Sequence, residues 1–124
     1  MQRFTDLRVW QLAHTIAIDI YKMSASFPEA ERFGLTAQLR RAAVSVSSNI
    51  AEGSKRRSEA DHARFLNMAE GSLAESESLL LLARDLGMAS EERITTLLEA
   101  VDPLARMLAV LRTKVEAEAR LARS

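Results

Sequence analysis

Residues 38–75 read QLRRAAVSVSSNIAEGSKRRSEADHARFLNMAEGSLAE, and their interpretation decides the fold. Small residues crowd both halves. Ala42, Ala43, Ser45, Ser47, Ser48 and Ala51 lie on one side, and Ala69, Gly71, Ser72 and Ala74, with Ser76 just beyond, lie on the other. A basic knot, Lys55-Arg56-Arg57, sits between them. Small side chains at helical spacing let two helix backbones approach closely. The connection over 54–57 is short, so the flanking helices are expected to be antiparallel neighbours. The stretch therefore predicts a tight helical hairpin with a cationic tip.

Working outward, Leu35, Leu39, Ala42, Val46 and Ile50 form one apolar stripe, which predicts a helix over about 33–52. Gly53 suits the left-handed position that closes such a helix. Ser58, with Asp61 in place of the usual Glu, resembles a capping box and opens a helix over about 59–86. Phe65, Ala69, Ser72, Ser76, Leu79, Ala83 and Leu86 recur along it, with Leu66, Leu73 and Leu80 beside them, and Gly87 ends it. Val9, Ala13, Ile16, Ile20, Met23 and Phe27 predict a first helix over about 6–26, capped by Thr5 or Asp6. Phe27-Pro28 stops it, because the residue before proline is pushed out of helical geometry. After Ser90, Ile94, Leu97, Val101, Leu104, Leu108, Leu111 and Val115 predict a fourth helix over about 91–118. Pro103 lies inside this rhythm and predicts a kink more than a stop. The polar, Ala-rich tail 116–124 is expected to fray.

Four apolar stripes joined by short connections predict an all-α fold: an antiparallel up-down-up-down four-helix bundle, one domain over 1–124. The third and fourth helices carry more apolar residues than a single stripe needs. The surplus either widens the core or is covered by other subunits. Gly71 is a related feature. A glycine inside a helix costs about 1 kcal/mol relative to alanine, so close approach of another helix or subunit is expected there.

The chain has 124 residues and no cysteine, which excludes disulfides, thiolate metal sites and cysteine nucleophiles. The segment MQRFTDLRVW lacks the apolar core of a secretory signal, and no 18-residue apolar run exists. A cytoplasmic protein with no membrane partner is the expectation. Net charge is zero but unevenly spread: −1 over residues 1–31, +4 over 32–64, −5 over 65–111 and +2 over 112–124. Such segregation suits pairing between helices or subunits, and it lacks the general basic excess of strong nucleic-acid binders.

Chemistry-bearing patterns are sparse. Glu59-x-x-His62 has the spacing used by di-iron bundles, but the other histidine follows Gln11, not Glu, in Gln11-Leu-Ala-His14. Those sites need two Glu-x-x-His motifs and two further Glu. His62 therefore reads as a solvated first-turn residue. No nucleophile elbow, phosphate loop or dinucleotide fingerprint occurs. No catalytic residue, cofactor, metal or small-molecule substrate is expected. Arg41, Ser45, Ser48 and Glu52 form a polar stripe, and Arg41 is expected to pair with Glu70 or Glu75 across the hairpin. Lys55, Arg56 and Arg57 have a structural reading, as cations favourably placed at a helix C-terminus. Their functional reading is phosphate contact, extended by Arg40, Arg41 and Arg64. No aromatic residue interleaves with this cluster, so such contact would be backbone-directed and salt-sensitive.

Several segments together carry a family resemblance. They are Phe4-x-Asp6-Leu7-x-Val9-Trp10-Gln11-x-Ala13, Phe27-Pro28, Phe33-Gly34-Leu35, Gln38-Leu39-Arg40-Arg41-Ala42-Ala43-x-Ser45, Asn49-Ile50-Ala51-Glu52-Gly53, Phe65-Leu66 and Gly71-Ser72-x-x-Glu75. Through them nearly the whole chain resembles the four-helix-bundle proteins encoded in intervening sequences of bacterial 23S ribosomal RNA genes. In outline it also resembles the accessory variability protein of diversity-generating retroelements, a basic, pentameric, nucleic-acid-binding bundle. The resemblance implies a ring-shaped homo-oligomer, typically a homopentamer, with an RNA- or ribosome-related role and no known catalytic residues.

The combined expectation is a non-enzymatic homo-oligomer that binds RNA or a ribonucleoprotein. Arg40, Arg41, Lys55, Arg56 and Arg57 are the candidate phosphate contacts. Asn49, Glu52, Gly71, Ser72 and Glu75 are the candidates for shaping the hairpin or the subunit interface. The alternative is a structural or protein-interaction scaffold without nucleic-acid affinity. A metal-carrying bundle is a third reading.

Overall fold

The computed structural model describes residues 3–123, which form four α-helices and no strand. α1 spans Arg8–Ser24, α2 Leu35–Ser54, α3 Glu59–Asp85 and α4 Glu91–Arg123. Single 3-10 turns at Phe4–Asp6 and Glu29–Glu31 precede α1 and α2. α2 and α3 share the most extensive seam; α4 packs on α3, and α1 packs on both α2 and α4. No helix among the described residues is long and apolar enough to cross a membrane.

One contiguous core joins the four stripes, with Ile20, Leu39, Ile50, Leu66, Leu80, Ile94, Leu104 and Leu108 fully shielded. Each such burial favours folding by about 1.5–3 kcal/mol before entropy is counted. The α1 stripe is buried as its spacing predicts. The α3 stripe is buried in large part as its spacing predicts: Phe65, Ala69, Ser76 and Ala83 are buried together with the flanking Leu66, Leu73 and Leu80, while Ser72 and Leu79 are half-buried and Leu86 is exposed.

The helix ends depart from expectation at several points. Thr5 and Asp6 do not cap α1; they form the preceding turn, and Leu7 occupies the cap position without a side-chain hydrogen bond. Gln11 Nε2 ties that turn down by donating to the Thr5 carbonyl at 2.9 Å. Gly53 is not a left-handed cap. It lies inside α2, buried against α3. Gly87 alone among the described residues has positive φ, at 68°. It closes α3 as a Schellman motif, in which Met88 N donates to the Ala83 carbonyl at 3.0 Å and Gly87 N to the Arg84 carbonyl at 3.1 Å. Ser58 Oγ accepts from Asp61 N at 3.1 Å, and Ser90 Oγ accepts from Arg93 N at 3.2 Å, so α3 and α4 are capped at the expected serines.

α4 continues through Pro103 and onward to Arg123. The expected fraying of the tail does not occur up to that residue, and Ser124 lies outside the described residues. Val115 and Ala119 are buried, and Arg112 Nη1 donates to Glu116 at 2.9 Å. These contacts dock the last turns of α4.

Candidate functional site

The α2–α3 seam is held by short polar side chains as well as by close packing. Ser45 Oγ and Ser72 Oγ are hydrogen-bonded at 2.8 Å across the seam. Asn49 Nδ2 donates to the Ser45 carbonyl at 2.9 Å and to Ser45 Oγ at 3.0 Å. Ser76 Oγ donates to the Ser72 carbonyl at 2.9 Å and is fully buried. Asn49 and Ser72 therefore belong to the packing of the protomer. Glu52, Gly71 and Glu75 are exposed, and a Cβ added at Gly71 would meet nothing within 4 Å. No helix of the same protomer approaches Gly71.

Arg41 is exposed and forms no ion pair among the described residues, contrary to the expected link to Glu70 or Glu75. Glu70 turns instead toward α4. Arg112 Nε donates to Glu70 Oε1 at 2.8 Å and to Oε2 at 3.0 Å, and both side chains are about three-quarters shielded. The hydrogen bond to Glu70, reinforced by the charges of Glu70 and Glu116, holds the Arg112 guanidinium protonated more firmly than an ordinary arginine, against the opposing effect of burial.

The α2–α3 turn carries the basic knot. Lys55, Arg56 and Arg57 are exposed and, with Ser58, Asp61 and Arg64, line an open depression of about 730 Å³. Asp61 is the one acidic lining residue. It takes Arg64 at 2.9 Å and Arg56 at 3.8 Å, while Lys55 and Arg57 have no ion pair among the described residues. The fold also brings an aromatic ring to this cluster, where sequence spacing showed none. Arg56 and Arg64 sit 4.5 and 4.6 Å from the centroid of the Phe65 ring. Phe65 is buried, so its ring orients the two guanidinium groups and offers no face to a base. His62 is not simply solvated either. Its Nε2 is buried without a hydrogen-bond partner, and its ring lies against Gly53.

Arg40 faces a different neighbourhood. Its Nε donates to Ser24 Oγ at 2.8 Å and its Nη2 to the Tyr21 carbonyl at 3.1 Å, and the guanidinium lies 4.5 Å from the Tyr21 ring centroid. It thereby satisfies a carbonyl in the last turn of α1 and ties that helix to α2. Beside it, Tyr21, Arg32, Phe33 and Arg41 line a cleft of about 840 Å³, with Glu75 at its α3 edge. Tyr21 and Phe33 are site-lining residues that charge and spacing did not point to, since they come from separate parts of the chain.

Residues 5–110 match the model of the 23S rRNA-intervening sequence protein family. The chain belongs to this family. A crystal structure from the family's structural relatives gives the same architecture: a protein of unknown function from the S23 ribosomal protein family of Bacteroides thetaiotaomicron. It superposes with a TM-score of 0.75 at 23% identity, over 84% of this chain and 97% of that one. No curated protein matches. For this intervening-sequence protein, the likeness to that structure concerns the fold alone.

Proposed function

We propose that the protein is a non-enzymatic, cytoplasmic homo-oligomer, a pentameric ring of antiparallel up-down-up-down bundles, that binds RNA or a ribonucleoprotein through the tip of the α2–α3 hairpin. The observation that carries this reading is the tip itself. It gathers Lys55, Arg56, Arg57 and Arg64 around one carboxylate, Asp61, and leaves Lys55 and Arg57 unpaired among the described residues. Unpaired surface cations are the groups that release counterions on meeting a phosphate backbone. The short connections at 55–58 and 86–90 favour antiparallel neighbours. The family's link to 23S rRNA intervening sequences favours an RNA setting. In a ring each modest patch recurs, and multivalency raises avidity without new contacts.

Self-assembly has its own support. An apolar groove of about 430 Å³ between α1 and α4 is lined by Leu7, Val9, Met107, Val110 and Leu111. Met68 and Leu82 are exposed on α3, and Leu86 is exposed at its C-terminal cap. The same surfaces favour the second reading, a protein-interaction scaffold without nucleic-acid affinity.

The test is a titration of purified protein with RNA across a salt series. RNA binding through the tip predicts affinity that falls steeply with salt. In a Lys55→Ala/Arg56→Ala/Arg57→Ala variant, affinity drops and the log–log salt slope shrinks by about 2–3. Absence of binding at low salt, with the oligomer intact, supports the scaffold reading instead.

A further inference from the structure

Phe33 is 86% exposed, the most exposed large hydrophobic among the described residues. The backbone that displays it is hydrogen-bonded on both sides. Arg32 N donates to the Glu29 carbonyl at 3.1 Å, Gly34 N to the Glu31 carbonyl at 3.0 Å, and Leu35 N to Glu31 Oε1 at 3.2 Å. The ring contributes nothing to the core, yet it lines the α2 cleft, to which Tyr21 contributes a second aromatic ring. Three guanidinium groups share that cleft with one carboxylate, Glu75. Arg40 is pinned by Ser24 and the Tyr21 carbonyl, Arg32 lies 5.2 Å from the Phe33 ring centroid and 3.6 Å from Glu29, and Arg41 is exposed without an ion pair among the described residues. An open aromatic face next to the unpaired guanidinium of Arg41 fits a ligand that is both planar and anionic. Arginine and aromatic groups combine in this way where unstacked bases are held. The volume of about 840 Å³ lies within the range of about 300–1,000 Å³ typical of sites for compact ligands.

We infer that this cleft is a stacking subsite for an unpaired nucleotide of single-stranded RNA, with the base on Phe33 and the phosphate on Arg41. The inference rests on the proposed RNA binding and adds a preference to it. A duplex hides its base faces, so the cleft discriminates single strands from duplexes, which the hairpin tip, a phosphate contact, does not. Arg41 lies on α2 and Lys55 caps its C-terminal end, about 20 Å away along the axis by helical rise. One short single strand can therefore engage both sites.

The experiment titrates the full chain with a labelled single-stranded oligoribonucleotide and with its blunt duplex, and follows the solution mass of each variant by light scattering. Phe33→Ala is expected to weaken single-strand binding about fivefold or more while leaving duplex affinity and mass unchanged. Phe33→Trp is expected to retain affinity and to show fluorescence quenching on RNA addition beyond that of wild type, which has Trp10 alone. Unchanged single-strand affinity in Phe33→Ala overturns the inference, and so does an equal loss on duplex. A drop in mass also overturns it, since Phe33 then seats a second copy of the chain. The Lys55→Ala/Arg56→Ala/Arg57→Ala variant separates the two proposals. Loss of binding there with none in Phe33→Ala leaves the tip standing and removes the cleft; the converse leaves the cleft and removes the tip. Wild type that binds neither form at low salt removes both.

Discussion

A methyl group added at Gly53 would stand 2.8 Å from Phe65 Cβ and 3.2 Å from His62 Cδ2. Phe65 Cβ is fixed to the α3 backbone, and the His62 carbonyl oxygen lies at 3.5 Å, so relief requires the helices to move apart. Gly53→Ala is expected to destabilise the protein by about 1–3 kcal/mol, read from urea denaturation. The same substitution at Gly71 meets open space. Gly71→Ala is expected to stabilise the protomer by about 1 kcal/mol, the helix-propensity difference alone. The sequence marks both positions only as glycines near or inside helices. Which of them faces a neighbouring helix depends on how α3 is rotated, and the local pattern does not record that. If Gly71 lies in a subunit interface, Gly71→Arg will lower the solution mass while leaving the helical circular dichroism unchanged. An unchanged mass removes Gly71 from the interface.

At the scale of elements, α3 is clamped on both sides by polar contacts of different kinds. Toward α2 the link is a neutral hydroxyl and amide network through Ser45, Asn49 and Ser72; toward α4 it is the Arg112–Glu70 pair. Arg112→Ala is expected to cost about 1–3 kcal/mol, because Glu70, about three-quarters shielded, loses its charged donor. A double-mutant cycle with Glu70→Ala is expected to show coupling of about 1 kcal/mol, whereas Arg41→Ala with Glu70→Ala is expected to add within about 0.3–0.5 kcal/mol. Additivity in the first cycle, or clear coupling in the second, contradicts this assignment. The helices themselves were legible, since an apolar stripe and a capping serine are local signals. Glu70's partner was not. Glu70 faces α4 and not α2 because Leu66, Leu73 and Leu80 set the rotation of α3. The docked tail was missed for a similar reason: Val115 closes the predicted stripe, and beyond it Ala119 is a single small apolar residue among polar ones, yet its burial holds the last turns of α4.

At the scale of the molecule, two features stand out that the core does not explain. One is the cationic α2–α3 turn, visible in the sequence as Lys55-Arg56-Arg57. The other is the Tyr21–Phe33–Arg41 cleft, invisible there because its members are far apart in the chain and meet only when α1 and α2 pack. Physical patterning indicated surplus apolar surface but not how many copies cover it; the number five came only from the family resemblance. The account's central claim is that function resides on the exterior of an assembly, where Val110, Leu82 and Leu86 are covered and the cationic turns are repeated. Light scattering on the purified chain at micromolar concentration tests it most directly. The account predicts a closed assembly of about five protomers of 13.8 kDa each. A mass of 13.8 kDa, one protomer alone, contradicts it.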